Sequence, residues 1–105
     1  MRRGEIWWAQ LDPPAGTRPV LLLSRDEAYV VRSLVTVAPV TTRVRRLPAE
    51  LPLSLDDGMP RTCVANLDSM TTIRQSRLLS RITTLTPAKL AETDAAIHYA
   101  LGLEK

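Results

Sequence analysis

Two residues in this chain have the type and placement to stabilise developing negative charge: Arg18 and Thr41. Arg18 stands directly before Pro19 and the unbroken apolar run Val20, Leu21, Leu22 and Leu23. That run, closed by Ser24, reads as a strand buried on both faces and central to a small sheet. Proline fits the first position of a strand and forces the residue before it into an extended conformation. A guanidinium is therefore expected at the mouth of the most buried strand. Thr41 ends a second strand pattern over residues 33–40, where Leu34, Val35, Val37, Ala38 and Val40 are apolar. If the two strands are antiparallel neighbours, Arg18 and Thr41 share one rim, with Thr42, Arg43, Arg45 and Arg46 just beyond. A cationic fork beside a hydroxyl suits a phosphodiester. Arg18 also has a plainer reading, a charge solvated at a strand end.

Other chemistries find little support. No Ser/His/Asp or Cys/His arrangement is suggested, and only four glycines are present, with no glycine-rich phosphate loop. The one cysteine, Cys63, forms no internal disulfide, and with His98 as the one histidine no Cys/His metal cluster can be built. Neither a metal nor another cofactor is expected. Cys63 sits in an apolar strand-like run and reads as a small core residue. No run of about 18 apolar residues exists, so no membrane span is expected. The charged start, Met1-Arg2-Arg3-Gly4-Glu5, lacks the apolar core of a signal peptide, and a cytoplasmic protein follows as the expectation. Charge is uneven. Residues 1–46 hold eight arginines against four acids, a net of +4, while residues 47–86 balance and residues 87–105 carry a net of −1, which sums to the overall +3. Arginine outnumbers lysine twelve to two, a bias towards planar recognition of phosphate that a GC-rich genome would also produce.

The elements that must position these residues are short. The 105 residues suffice for one domain, spanning 1–105. Residues 4–11 form a strand pattern with Ile6 and Trp8 on one face and Trp7 and Ala9 on the other. Asp12, Pro13, Pro14, Ala15 and Gly16 read as a turn. Residues 25–32 read as a helical turn or loop. Leu51 and Leu53 alternate with polar neighbours around Pro52, which confines that strand to an edge. A turn at residues 56–60 precedes a strand over 62–67, which residues 69–72 extend after a kink. One helical turn over 75–79 and a last strand over 82–85 follow. Thr86 and Pro87 are an N-cap and a first helical residue, and Gly102 ends the helix. Leu90, Ile97 and Leu101, widened by Ala91 and Ala95, make its expected apolar face. Short strands followed by one terminal helix predict a small antiparallel barrel or sandwich with a helix on its flank.

The chain also resembles a known family. The runs Arg3-Gly4-Glu5-Ile6-Trp7-Trp8-Ala9, Leu11-Asp12-Pro13, Arg18-Pro19-Val20-Leu21 and Val37-Ala38-Pro39-Val40-Thr41-Thr42 are similar to those of the MazF/PemK toxin ribonucleases. The similarity continues through Gly58-Met59-Pro60-Arg61-Thr62-Cys63-Val64-Ala65-Asn66-Leu67-Asp68, Arg77-Leu78, Asp94-Ala95-Ala96-Ile97 and Leu101-Gly102-Leu103. The order is kept over nearly the whole chain. The resemblance implies an SH3-like β-barrel of the CcdB/MazF type with a C-terminal helix, working as a homodimer. It implies a toxin of a type II toxin–antitoxin pair, restrained by an acidic, MazE-like antitoxin. It further implies metal-independent, sequence-specific cleavage of single-stranded RNA, in which the 2′-hydroxyl attacks the adjacent phosphate to leave a 2′,3′-cyclic phosphate and a 5′-hydroxyl. The family's catalytic arginine and threonine fall on Arg18 and Thr41. RNA-binding roles fall on Thr17, Thr42, Arg43, Asn66 and Asp68, with Asp68 equally readable as a turn residue.

The chain departs from the family twice. Its loop over residues 13–17 is several residues shorter than usual, and Thr71 stands where an arginine is common, leaving Arg74, Arg43 or Arg45 as candidate substitutes. Two other classes of function therefore stay in view: a CcdB-like toxin that poisons gyrase by protein contact, and a catalytically inactive barrel that binds RNA or protein.

Overall fold

β-Branched and alternating apolar residues make strands the main regular structure of the chain. The computed structural model describes residues 1–103. Among these, seven strands occur in chain order: β1 (Glu5–Gln10), β2 (Thr17–Leu22), β3 (Leu34–Thr41), β4 (Glu50–Leu53), β5 (Cys63–Asn66), β6 (Thr71–Arg74) and β7 (Leu78–Thr84). A single-turn helix, α1 (Ala28–Val31), links β2 to β3, and α2 (Pro87–Ala100) follows β7. The strands form one antiparallel, curled sheet in the order β4-β5-β3-β2-β1-β7, with β6 added to β3. This is a β-rich half-barrel with a C-terminal helix. The ends of the sheet, β4 and β7, do not pair with each other, and α2 packs against the core at that opening.

β2 is central, as its apolar run predicts: Val20, Leu21 and Leu22 are all fully buried. Their side chains alternate between two clusters. Leu21 joins Ile6, Ala38, Leu51 and Leu67 on one face, and Val20 and Leu22 join Ala9, Val35 and Val37 on the other. The split within β1 follows the expected parity, with Ile6 in the first cluster and Ala9, packed beside Trp7, in the second. Burying these aliphatic side chains, at about 1.5–3 kcal/mol each, is the main driving force for closing the sheet.

Four expectations are revised. The last strand, β7, begins at Leu78 rather than at residue 82, because its pairing with β1 runs from Glu5↔Thr84 to Ala9↔Leu78, and the helical turn before it is confined to Gln75–Arg77. Pro19 is the third residue of β2 rather than the first, because β2 pairs with β1 as far as Gln10↔Thr17, two residues before the proline. Residues 69–72 do not extend the preceding strand. Asn66 Oδ1 accepts a hydrogen bond from Asp68 N at 3.0 Å, which turns the chain through a 3-10 turn (Leu67–Ser69). β6 then pairs with β3, from Leu34↔Arg74 to Val37↔Thr71. The apolar face of α2 is also rotated from the expected one. Leu101, Ala91 and Ala95 are exposed, while Thr93 and Ala96 are buried beside Leu90, Ile97 and Ala100. Thr93 can be buried because its hydroxyl donates to Lys89 O at 2.9 Å, so no polar group is stranded.

Both helix ends form as the sequence predicts. Thr86 Oγ1 accepts from Lys89 N at 3.2 Å, Pro87 opens the helix, and Gly102 follows it in a left-handed conformation at φ 68°. Gly4 explains how closely the helix approaches. Its φ is 94°, and a Cβ there would stand 2.7 Å from Leu90 Cδ2, so a side chain would strain the backbone and force the Leu90 side chain to move.

Candidate active site

The register of β2 and β3 decides what the rim of the sheet presents. The strands pair antiparallel through Leu22↔Val37, Leu21↔Ala38 and Val20↔Pro39. Continued by two residues, this register sets Arg18 opposite Thr41. The regular ladder stops where Pro19 and Pro39 sit, and neither has an N–H to prolong it. β3 instead gives its last residues to β5, as Val40↔Ala65 and Thr41↔Val64. The gap left between β2 and β3 is a cavity of about 370 Å³. Trp8, Arg18 and Pro19 line one side, Val40, Thr41 and Thr42 another, and Met59, Pro60, Arg61 and Cys63 complete it.

Local bonds hold the two leading residues while leaving their reactive groups free. The Arg18 Nε–H donates to Ala15 O at 2.9 Å. That carbonyl belongs to the short β1–β2 connection, itself closed by Leu11 N to Gly16 O at 2.9 Å and Ala15 N to Asp12 O at 3.0 Å. The terminal nitrogens of Arg18 have no hydrogen-bond or carboxylate partner among the described residues. Thr41 Oγ1 accepts from Arg43 N at 3.2 Å, a local turn that fixes the oxygen and leaves its proton to donate. Cys63 is buried; burial pushes its thiol pKa up, Asp57 adds to this, and the positive charge of Arg61 opposes it. A buried thiol held protonated is a wall of the cavity and a poor nucleophile.

The structure thus brings Arg18, Thr41 and Thr42 to one cavity. Thr17, Arg43, Asn66 and Asp68 do not line it. Thr17 Oγ1 donates to Gln10 Oε1 at 2.8 Å across the β1–β2 pair. Arg43 is exposed beyond Thr42, and Asn66 and Asp68 are engaged in the turn after β5. None of Arg74, Arg43 and Arg45 lines the cavity; the second cation there is Arg61. Sequence reasoning also passed over Met59 and Pro60. Their signal was the motif at residues 58–68, to which no role beyond resemblance was attached.

A β-rich half-barrel with a flanking helix and a cavity carrying two arginines at a strand rim defines the class: a small β-barrel protein with a cationic site. The chain belongs to the PemK-like, MazF-like toxin family of type II toxin–antitoxin systems, which it matches over residues 2–101. It is 38% identical over 103 residues to "Probable endoribonuclease MazF2" of Mycobacterium tuberculosis, covering 97% of this chain and 99% of that protein. The solved structure of "Mycobacterium tuberculosis toxin MazF-mt6" superimposes with a TM-score of 0.87 at 34% identity, over 96% of this chain and 99% of the other. An "Endoribonuclease in complex with its cognate antitoxin from Mycobacterial species" gives 0.88 at 25% identity, over 100% and 98% of the two chains.

Proposed function

We propose that the protein is the endoribonuclease toxin of a type II toxin–antitoxin pair, cutting single-stranded RNA at Arg18 and Thr41 without a metal. The observation that carries this reading is the pairing of a fixed guanidinium with free terminal N–H groups and a fixed hydroxyl on one cavity rim. The ribose 2′-oxygen attacks the neighbouring phosphorus and loses its proton. The bond to the 5′-oxygen breaks, and that oxygen gains a proton. The products are a 2′,3′-cyclic phosphate and a 5′-hydroxyl. Negative charge gathers on the non-bridging oxygens of the five-coordinate intermediate. Arg18 and Thr41 donate to those oxygens, and donors fixed before the reaction need no reorganisation when the charge develops. A guanidinium holds its proton at neutral pH, so Arg18 acts as a charge stabiliser rather than a base.

The family and the relatives named above support a homodimer restrained in the cytoplasm by an antitoxin. An acidic, disordered antitoxin segment suits the net charge of +3. Cleavage of a long RNA in EDTA, with the ends mapped, tests the proposal. Wild type should give discrete cuts with 5′-hydroxyl ends, and Arg18→Ala should cut ~100-fold more slowly or less. Equal cleavage by that variant would remove Arg18 from the mechanism. No cleavage by wild type, with gyrase inhibited instead, would replace the reaction by protein contact.

A further inference from the structure

The cavity holds a cation that the cleavage step does not use. Arg61 reaches it from the segment between the 3-10 turn Leu55–Asp57 and β5, while Arg18 and Thr41 come from β2 and β3. Arg61 is exposed, and it makes no hydrogen bond and no ion pair among the described residues. Its charge is felt inside the cavity, where it opposes the burial that raises the Cys63 thiol. Its backbone is anchored on both sides. Upstream, Ser54 N donates to Asp57 Oδ2 at 2.9 Å, and Thr83 Oγ1 donates to Asp57 O at 2.8 Å. Downstream, Cys63 enters β5 and pairs with Leu53.

We propose that Arg61 is a second phosphate-binding position, which holds the backbone phosphate next to the one being cut. The proposal rests on the reading of the cavity as the RNA-cleaving site. A single-stranded nucleic acid carries one phosphate per nucleotide, so a strand whose reacting phosphate meets Arg18 and Thr41 must place another within one nucleotide of it. An unpaired guanidinium, carried on a segment held at both ends and placed on a separate wall of the same cavity, is the group suited to receive it. Apart from the two arginines and two threonines the lining is apolar, with Trp8, Pro19 and Met59 among it. That surface accommodates a base or sugar rather than a third charge. Arg61 thereby sets the direction in which the strand crosses the cavity and contributes to binding, and the bond-breaking step is left to Arg18 and Thr41.

Two measurements test this. The first is binding of a mixed-sequence single-stranded DNA oligonucleotide, which lacks the 2′-hydroxyl and is not cut, read by fluorescence anisotropy over a range of salt. Arg61→Ala should bind about 10-fold more weakly, and the slope of log affinity against log salt should shrink by about 0.7, the amount expected for one lost phosphate contact on a single strand. Arg61→Lys should restore the slope but only part of the affinity, since the point charge returns without the fork. Arg74→Ala, altered away from the cavity, should change neither. The second is steady-state RNA cleavage, in which Arg61→Ala should raise KM about 10-fold with kcat within about threefold of wild type.

An unchanged salt slope and KM in Arg61→Ala would overturn the assignment, as would a collapse of kcat at constant KM, which would make Arg61 part of the chemistry. The binding assay does not depend on cleavage. If wild type cuts no RNA but Arg61 still governs the salt slope, the reaction fails and the phosphate position stands. Because the Arg61 side chain is exposed and bonds to none of the described residues, its variants should melt with wild type, which removes misfolding as an explanation.

Discussion

The two ends of β1 handle arginine in opposite ways. At the first end, Glu5 is 5% exposed, and its carboxylate collects donors: Arg2 N at 3.1 Å, Trp7 Nε1 at 2.9 Å and Arg81 Nη1 at 3.4 Å. Nearby, Arg3 is paired with Asp94 of α2 at 2.6 Å and donates to Leu23 O at 3.1 Å. At the other end, Ala9 sits beside Arg18, which lines the cavity with Arg61, and among the described residues neither arginine has a carboxylate partner. The same residue type serves cohesion where a carboxylate meets it and is available to a ligand where none does. An unpaired cation at a rim has no charged partner to lose, and Arg18 spends only one exposed hydrogen bond, to Ala15 O, so its removal should alter function while barely touching stability. At the Glu5 end the order should reverse.

Thr41→Val gives the largest effect expected on this division. Valine keeps the β-branched shape that suits the end of β3 but deletes the proposed donor to the phosphate, so cleavage should fall ~100-fold. The stability cost should stay near ~1 kcal/mol, because only Arg43 N loses an acceptor at an exposed site. Single-turnover cleavage beside urea unfolding reads both quantities. Unfolding that accounts for the whole loss of activity would break the comparison.

Glu5→Ala should do the converse. Stripping a buried carboxylate from three donors should cost about 2–3 kcal/mol, with unchanged cleavage per folded molecule. The acid limb sharpens the test. Burial alone would raise the Glu5 carboxyl, but the hydrogen bonds from Trp7 and Arg2, the N-terminal charge and Arg81 outweigh it and hold its pKa below the ordinary 4.5. A carboxyl depressed in the folded state contributes stability that is fully present above the ordinary value and is lost as pH falls through the folded one. Wild type should therefore lose stability below about pH 4.5, and Glu5→Gln should flatten that part of the loss. An identical acid limb in the two proteins would mean that Glu5 is not tuned by its donors.

The β2–β3 rim was legible because it rests on short-range rules. The run after Pro19 marks a buried strand, residues 33–40 mark another, and antiparallel pairing then puts Arg18 near Thr41. Arg61 was not legible in the same way. It lies on a connection whose path depends on Asp57 meeting Ser54 and Thr83, and no periodicity records such contacts. The misjudged face of α2 has a related cause. Leu101 draws any hydrophobicity pattern to its side, yet the helix is placed by Leu90 against Gly4 and by a threonine whose hydroxyl is satisfied within its own turn. The separation of β6 from β5 turned on one asparagine side chain that caps a 3-10 turn. In each case a tertiary or side-chain bond overrode the pattern that the sequence displays.

The smallest effect should come from a paired arginine at the Gln10 end of β1, beside the free ones. Arg77 Nη2 meets Asp12 Oδ1 at 2.9 Å, and its Nη1 donates to Gln10 O at 3.0 Å, close to the connection that carries Ala15. Proximity to the site argues for importance, whereas exposure argues against it: the Asp12 side chain is 83% exposed. An ion pair this open to water is worth about 0–1 kcal/mol, because solvent screens the attraction and both side chains lose freedom. Arg77→Ala should therefore shift the urea midpoint only slightly, and less at high salt. Cleavage should stay within about twofold of wild type, since Arg18 is tied to Ala15 and not to Asp12. A tenfold loss of cleavage would mean that the connection transmits the Arg77 contact to Arg18, and the division between paired and free arginines would then have to be redrawn around the loop.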